Sequence, residues 1–188
     1  MNSIITAIVL AIIGQPAPVF VAKDVKGAEV SLADQKGKVV VLEWVNFGCP
    51  FVKKHYSGGN LPKLQETYTG KDVVWISICS NKKDNPRYLD DAGLAERAEK
   101  EGWKGTHLIN DANGKLGRMY GAKVTPQLFI IDEKGVLVYD GAIDSKATTK
   151  VADIATADPL FKNALDAVLA GEEVTGAKNK PYGCGVKY

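Results

Sequence analysis

The sequence predicts an α/β domain with a mixed central sheet that is covered by helices on both faces. Residues 39–45 and 73–78 are apolar runs that barely alternate with polar residues, which is typical of strands buried on both faces. A helical pattern separates the two runs, so we expect a parallel pair with a right-handed crossover. Later in the chain, residues 127–132 and 136–141 flank the turn signal Glu133-Lys134-Gly135, which adds antiparallel strands to the sheet.

The residues before the first buried strand predict an N-terminal β-hairpin. Pro16 and Pro18 favour a non-helical entry into the domain. Strands over residues 19–25 and 28–32 then flank Lys26-Gly27, which is typical of a turn.

Helical patterns occupy most of the remaining segments. Pro50 suits the first turn of a helix that residues 57–60 interrupt. A final helix is expected to have Asp158 as its N-cap and Pro159 as its first residue, with Gly171 after its end. The other predicted helices cover residues 61–68, 91–101 and 115–120, and residues 107–109 form a short extended piece.

Composition excludes several classes of protein. The chain has 188 residues, with 24 Lys and Arg against 22 Asp and Glu, so nothing indicates a surface for nucleic acid. Three cysteines and two histidines are too few for a disulfide-stapled scaffold and make a four-ligand zinc site improbable. We therefore expect one domain with a tail, without a metal or a cofactor, that can hold a single reactive cysteine.

The N-terminal segment has two interpretations. Residues 4–13 are apolar, too few to span a bilayer but as many as the hydrophobic part of a signal peptide. However, Met1-Asn2-Ser3 carries no basic residue and no clear cleavage site follows, so a packed first element is the alternative. We expect the divisions 1–13, 14–172 and 173–188, and export to the periplasm or another compartment outside the cytoplasm, with the cytoplasm as the alternative location.

Cys49 is the main candidate for chemistry. It follows a buried strand and precedes Pro50, so it should lie where the carboxyl end of a strand meets the amino end of a helix. Free amide groups and the helix dipole favour negative charge at that place, which lowers the pKa of a thiol. Lys53 and Lys54, one turn further, could add to the effect. The alternative is a small buried cysteine without a role.

Several segments resemble one family of proteins. Gly14-Gln15-Pro16-Ala17-Pro18, Gly48-Cys49-Pro50-Phe51-Val52 and Val124-Thr125-Pro126, with residues 39–45 and 129–132, are similar to thioredoxin-fold redoxins. These form the alkyl hydroperoxide reductase/thiol-specific antioxidant superfamily, which includes periplasmic thiol-disulfide interchange proteins. The resemblance covers residues 14–172. Residues 43–56 and 181–184 further resemble a branch in which Glu-Trp-x-Asn-x-x-Cys-Pro-Phe-Val-Lys-Lys-His-Tyr accompanies a tail ending in Pro-Tyr-Gly-Cys.

The resemblance implies a thioredoxin-like fold and a set of site residues. It implies a cis peptide bond at Pro126, beside the reactive Cys49. The residues expected to bind substrate around Cys49 are Asn46, Phe47, Gly48, Pro50, Thr125 and Pro126.

The chain also departs from the patterns of the two main subfamilies. A thioredoxin-type Cys-x-x-Cys pair would need a second cysteine at position 46 or 52, which Asn46 and Val52 occupy. A peroxiredoxin would have threonine in place of Asn46 and an arginine near the strand that Thr125 opens, and neither is present. Thiolate chemistry is thus expected, but the electron acceptor is left open.

Two cysteines could release a substrate from Cys49. Cys184 lies in a tail that we expect to be flexible, whereas Cys79 ends the neighbouring strand. Cys184 is the favoured partner, because a lone exposed thiol is a liability in an oxidising compartment. Glu43 could relay a proton to Cys49 if it is buried. Its alternative is an ionised carboxylate at the rim of the site or one paired with a lysine.

Three functions remain open on these residues. The leading hypothesis is a thiol-disulfide oxidoreductase that acts on protein thiols and disulfides and is served by an upstream dithiol reductant. The second is a thiol peroxidase in which Cys184 condenses with a sulfenic acid on Cys49. The third is a binding module without catalysis. We expect neither a nucleic-acid partner nor a stable membrane span.

Overall fold

A computed structural model describes residues 10–188 of the protein. The prediction of a leader or first element over residues 1–13 therefore lies largely outside the described residues. Within the described part, Ala11 donates its backbone N–H to the Met119 carbonyl at 3.2 Å. No helix there is both long enough and apolar enough to cross a bilayer.

A five-stranded mixed sheet forms the centre of the molecule. Its strand order is β5-β4-β3-β7-β8, in which β3 runs parallel to β4, β4 parallel to β5, and β7 antiparallel to both β3 and β8. The strands of this sheet are β3 (Val40–Trp44), β4 (Val74–Cys79), β5 (His107–Asn110), β7 (Gln127–Ile131) and β8 (Leu137–Gly141). The parallel pair and the late antiparallel hairpin agree with the prediction.

Two small sheets and five helices complete the described fold. The N-terminal hairpin is present as β1 (Val21–Lys23) paired with β2 (Glu29–Ser31), and β6 (Val124–Thr125) pairs with β9 (Cys184–Gly185). The helices are α1 (Pro50–Ser57), α2 (Asn60–Thr69), α3 (Asp91–Lys100), α4 (Lys115–Tyr120) and α5 (Leu160–Leu169). Short 3-10 segments cover Ala33–Gln35 and Val151–Thr156.

The sheet separates two apolar cores. β3 and β7 are buried at every position, which explains why their residues do not alternate. Cys49, Trp75 and Phe161 belong to the core on one face, whereas Trp44 and Phe129 belong to the core on the other. The candidate site therefore lies on one side of the sheet.

One sequence prediction needs correction, and another is extended by one residue. The last helix begins at Leu160 with Pro159 at its N-cap, because the backbone of Asp158 is used elsewhere: its N–H donates to Ser145 Oγ and its carbonyl accepts from the Ser145 N–H. The short extended piece at His107 is β5, the edge strand of the main sheet. Its four residues are too few to show a period of their own.

Candidate active site

Cys49 is held at the N-terminus of α1 by a tight turn. The Asn46 side-chain oxygen accepts the Gly48 N–H at 2.9 Å, and the Asn46 carbonyl accepts the Cys49 N–H at 2.9 Å. Cys49 has extended backbone angles as the N-cap of α1, and Pro50 fills the first helical position. The sulfur therefore faces the amide groups of the first helical turn, as the sequence predicts.

The segment before β7 closes the other side of the sulfur. The Thr125-Pro126 peptide bond is cis, in agreement with the resemblance. Cys49 Sγ donates to the Thr125 carbonyl at 3.1 Å. Thr125 is buried, and its hydroxyl has no hydrogen-bond partner within residues 10–188. Thr125 and Pro126 thus line the immediate surroundings of the Cys49 sulfur.

The C-terminal tail brings Cys184 to the same place. β9 pairs antiparallel with β6, so that Cys184 lies opposite Thr125, whose carbonyl contacts Cys49. Gly183 makes this approach possible, because it has φ +146° and a Cβ there would lie 2.0 Å from the Thr125 carbonyl oxygen. The expectation of a flexible tail is wrong: backbone hydrogen bonds also join Val186 to Lys123.

Electrostatics distinguish the two thiols. Burial opposes ionisation of Cys49, but hydrogen bonds from the Cys184 thiol and from the backbone of Val52 and Cys184 outweigh it, so the pKa of Cys49 is lowered. Burial, together with the hydrogen bond and charge of Cys49, raises the pKa of Cys184 to about 11. Of the two thiols, Cys49 is therefore the one that ionises more readily.

Glu43 lies on β3 and is completely buried. Its carboxylate accepts hydrogen bonds from four side chains at 2.8–2.9 Å: Tyr56, Gln65, Trp75 and Ser77. Burial raises the pKa of Glu43 despite these donors. The alternatives of a rim carboxylate and of a lysine pair are thus wrong, because all four partners are neutral. Cys49 is not among the partners, so a proton relay from Glu43 stays a prediction.

The remaining candidates occupy distinct places. Phe47 is buried with its ring edge-on to Tyr56 at 5.1 Å between centroids. Cys79 stays in the core, where burial and the Asp111 carboxylate raise the pKa of its thiol to about 12. Between the two cysteines left open by the sequence, it is Cys184 that reaches Cys49.

A cleft lies along the other side of the 46–48 turn. It has a volume of about 380 Å³ and is bordered by Lys53, Arg87 and Arg97, with Cys79 and Leu94 among its other lining residues. The cleft offers space for a partner next to the Cys49 turn.

Sequence reasoning missed a buried polar cluster behind α1. Lys54 does not support the Cys49 thiolate; its Nζ lies 3.2 Å from Asp144 Oδ2 and 3.4 Å from the Tyr182 hydroxyl. His55 also contacts that hydroxyl, at 3.2 Å. The sequence did contain a sign of this cluster, because Lys54 and His55 lie in one of the two branch motifs and Tyr182 lies in the other. In the part of the chain that the structure describes, no three His, Cys, Asp or Glu side chains gather as metal ligands would.

Comparisons with known proteins show which family and which relatives the chain resembles. The model of the AhpC/TSA family matches residues 13–140. The thioredoxin-like protein YneN of Bacillus subtilis is 28% identical over 144 residues, which are 75% of this chain and 79% of that protein. The thiol-disulfide oxidoreductase ResA of Bacillus thuringiensis is 29% identical over 126 residues, or 67% of each chain.

The fold has close structural relatives. The crystal structure of a hypothetical protein, SMc02350 of Sinorhizobium meliloti, matches with a TM-score of 0.78 and 26% identity over 100% of this chain and 96% of that one. The strand order and the neighbours among solved structures make the architecture thioredoxin-like.

Proposed function

We propose that this chain, which belongs to the AhpC/TSA family, is a thiol-disulfide oxidoreductase that uses Cys49 and Cys184 as its redox pair. The observation that carries the proposal is the register of β9 on β6, which sets Cys184 opposite Thr125 while the Thr125 carbonyl contacts Cys49. The thiol-disulfide oxidoreductase activity in the name of the ResA relative supports the same reaction class.

The first step is attack by the Cys49 thiolate on a protein disulfide. A bond forms between Cys49 Sγ and one substrate sulfur, and the substrate S–S bond breaks. The other substrate sulfur leaves as a thiolate and takes a proton from water. The lowered pKa of Cys49 makes this cysteine the attacking group.

The second step is attack by Cys184 on the mixed disulfide. Once Cys49 is bonded to substrate, it no longer carries the charge that raises the pKa of Cys184, whereas the nearby cations of Lys187 and Arg87 still lower that pKa. Cys184 then loses its proton to solvent and bonds to Cys49 Sγ, and the second substrate thiol leaves. The substrate disulfide is reduced to two thiols, and the protein dithiol is oxidised to a Cys49–Cys184 disulfide.

The cycle needs a reductant and a place where disulfides form. An upstream dithiol protein would reduce the Cys49–Cys184 disulfide and be oxidised itself. We also propose export to the periplasm, which fits substrates that carry disulfides. Fractionation of cells that express the full chain checks this location, and recovery with a cytoplasmic marker enzyme would argue against it.

Trapping of the mixed disulfide tests the reaction. Reduced protein is mixed with a disulfide-bonded peptide, and the adducts are identified by mass spectrometry without reduction. Cys184→Ser should accumulate peptide on Cys49, Cys49→Ser should form no adduct, and the wild type should end as a Cys49–Cys184 disulfide. Cys79→Ser is the matched control and should behave as the wild type.

Two results would contradict the proposal. Rapid consumption of a hydroperoxide by the wild type, without reduction of the peptide, would identify a thiol peroxidase instead. An unreactive Cys49 that titrates as a free cysteine would favour a binding module.

A further inference from the structure

The tail that carries Cys184 is fastened to α1 at a second point. Tyr182, two residues before Cys184, donates its hydroxyl hydrogen to Asp144 Oδ1 and lies 3.4 Å from Lys54 Nζ. The Lys54 ammonium also bonds the Lys146 carbonyl at 2.9 Å. We call Lys54, His55, Asp144 and Tyr182 the tail latch.

The protons of the tail latch follow from its hydrogen bonds. The Asn60 amide donates to His55 Nδ1 at 2.9 Å, so the hydrogen of the ring is assigned to Nε2, which donates to the Tyr182 hydroxyl at 3.2 Å. Burial lowers the pKa of His55 to about 4, so the ring is neutral at pH 7. The tail latch thus balances one cation, Lys54, against one anion, Asp144.

Three members of the tail latch are buried and Tyr182 is half-buried, and the tail makes further side-chain contacts at Asn179 and Tyr188. Lys54 is 1% exposed, His55 0% and Asp144 5%. Loss of one member would leave a buried charge or donor without its partner, which costs far more than loss of an exposed contact. The tail latch should therefore contribute to the free energy that keeps the tail docked.

We propose that Lys54, His55 and Asp144 are positioning residues that hold Tyr182 and thereby set how often Cys184 lies at Cys49. This inference rests on the proposed function, because it assigns the control of that redox pair. Cys49 lies at the start of α1, and Lys54 and His55 lie further along the same helix. A single helix therefore contacts the tail at Cys184 and again at Tyr182. Since Cys49 is only 2% exposed beneath the docked tail, release of the tail latch also admits an external disulfide.

Tyr182→Phe tests the proposal, because it keeps the ring that packs edge-on against Phe51 at 5.7 Å and removes only the hydroxyl. Loss of a buried hydrogen bond to a charged group should shift the docked tail toward the open state by about tenfold. Hydrogen exchange of the amides of residues 183–187 and the alkylation rate of Cys49 by iodoacetamide should both rise by about that factor. Neither readout requires turnover. The proposed function can therefore fail while this inference stands, and this inference can fail while the proposed function stands.

The control is Tyr68→Phe, which removes a similar hydroxyl that donates to Asp166 at 2.7 Å, away from the tail. It should leave both rates unchanged. Asp144→Asn is the second variant and should act in the same direction as Tyr182→Phe. Unchanged rates in Tyr182→Phe and Asp144→Asn, or an equal rise in Tyr68→Phe, would overturn the proposal.

Discussion

At the scale of single residues, Cys49 and Cys184 carry the same functional group in unequal surroundings. Cys49 is buried and Cys184 half-buried, yet the hydrogen bonds that Cys49 receives lower its pKa, while partial burial and the neighbouring Cys49 raise that of Cys184. The hydrogen bond between the two thiols moves their pKa values in opposite directions. Each thiol therefore depends on the other for its protonation state.

Cys184→Ala should raise the pKa of Cys49, because the Cys184 thiol is the strongest of the groups that lower it. The rate of iodoacetamide alkylation of Cys49, followed against pH by mass spectrometry, reports the shift. Cys79→Ala serves as the control and should leave the titration midpoint in place. A midpoint in Cys184→Ala equal to that of the wild type would contradict the contact between the two thiols.

Glu43→Gln should reduce the pH dependence of stability. The pKa of Glu43 is raised in the folded protein, so its favourable contribution is complete below the unfolded pKa of about 4.3 and is lost as pH rises through the folded value. Urea unfolding of the wild type should thus show a decline above that pH that the variant lacks. Glu172→Gln, at an exposed position, is the control. Equal slopes in wild type and Glu43→Gln would refute the raised pKa.

At the scale of elements, the site is assembled where α1, β6 and β9 meet. α1 supplies the amide groups that face the sulfur, β6 supplies the Thr125 carbonyl, and β9 supplies the second thiol. β6 and β9 have two residues each, so their pairing alone is weak. The close approach at Gly183 and the tail latch make this short pairing persist.

Gly183→Ala should displace β9 from β6. A Cβ at Gly183 would lie 2.0 Å from the Thr125 carbonyl oxygen and φ is +146°, so the tail must shift. Strain of this kind weakens docking by about tenfold, and the alkylation rate of Cys184 should rise accordingly. Gly185→Ala is a matched control two residues further along the tail, since a Cβ there meets no atom within 4 Å. Similar rates in the two variants would show that the close approach does not hold the strand.

At the scale of the whole molecule, the sheet separates the candidate site from one of the two apolar cores. The core opposite the site includes Phe129, whose ring lies 5.2 Å from that of Trp44 and 5.7 Å from that of Tyr120. Cys49 belongs to the core of the other face. Changes in the first core should alter folding without altering the thiols.

Phe129→Ala should lower the free energy of unfolding by about 3–5 kcal/mol, because it opens a cavity in a fully buried aromatic cluster. Urea denaturation measures the loss. Val19→Ala, at a side chain 66% exposed, should change stability by about 0.5 kcal/mol or less. The pKa of Cys49 in folded Phe129→Ala should equal that of the wild type, and a shift would show that the two faces are coupled.

Much of the fold could be predicted from local patterns. Unbroken apolar runs indicated β3 and β4, and Pro50 indicated the start of α1, because these signals depend only on neighbouring residues. Asp158 shows where such signals fail. It was predicted as the N-cap of the last helix, but its backbone forms hydrogen bonds with Ser145 instead. Short edge strands such as β5 contain too few residues to show a period of apolar and polar positions.

The sequence by itself determined that Cys49 lies between a strand and a helix, because the order strand, Cys49, Pro50, helix is encoded in consecutive residues. Only the tertiary structure decided that Cys184 rather than Cys79 meets Cys49, that neutral donors surround Glu43, and that Tyr182 fastens the tail. These contacts join residues far apart along the chain. Which of these contacts form depends on how surfaces pack together and on which buried polar groups find hydrogen-bond partners. Neither of these is encoded in a local sequence pattern.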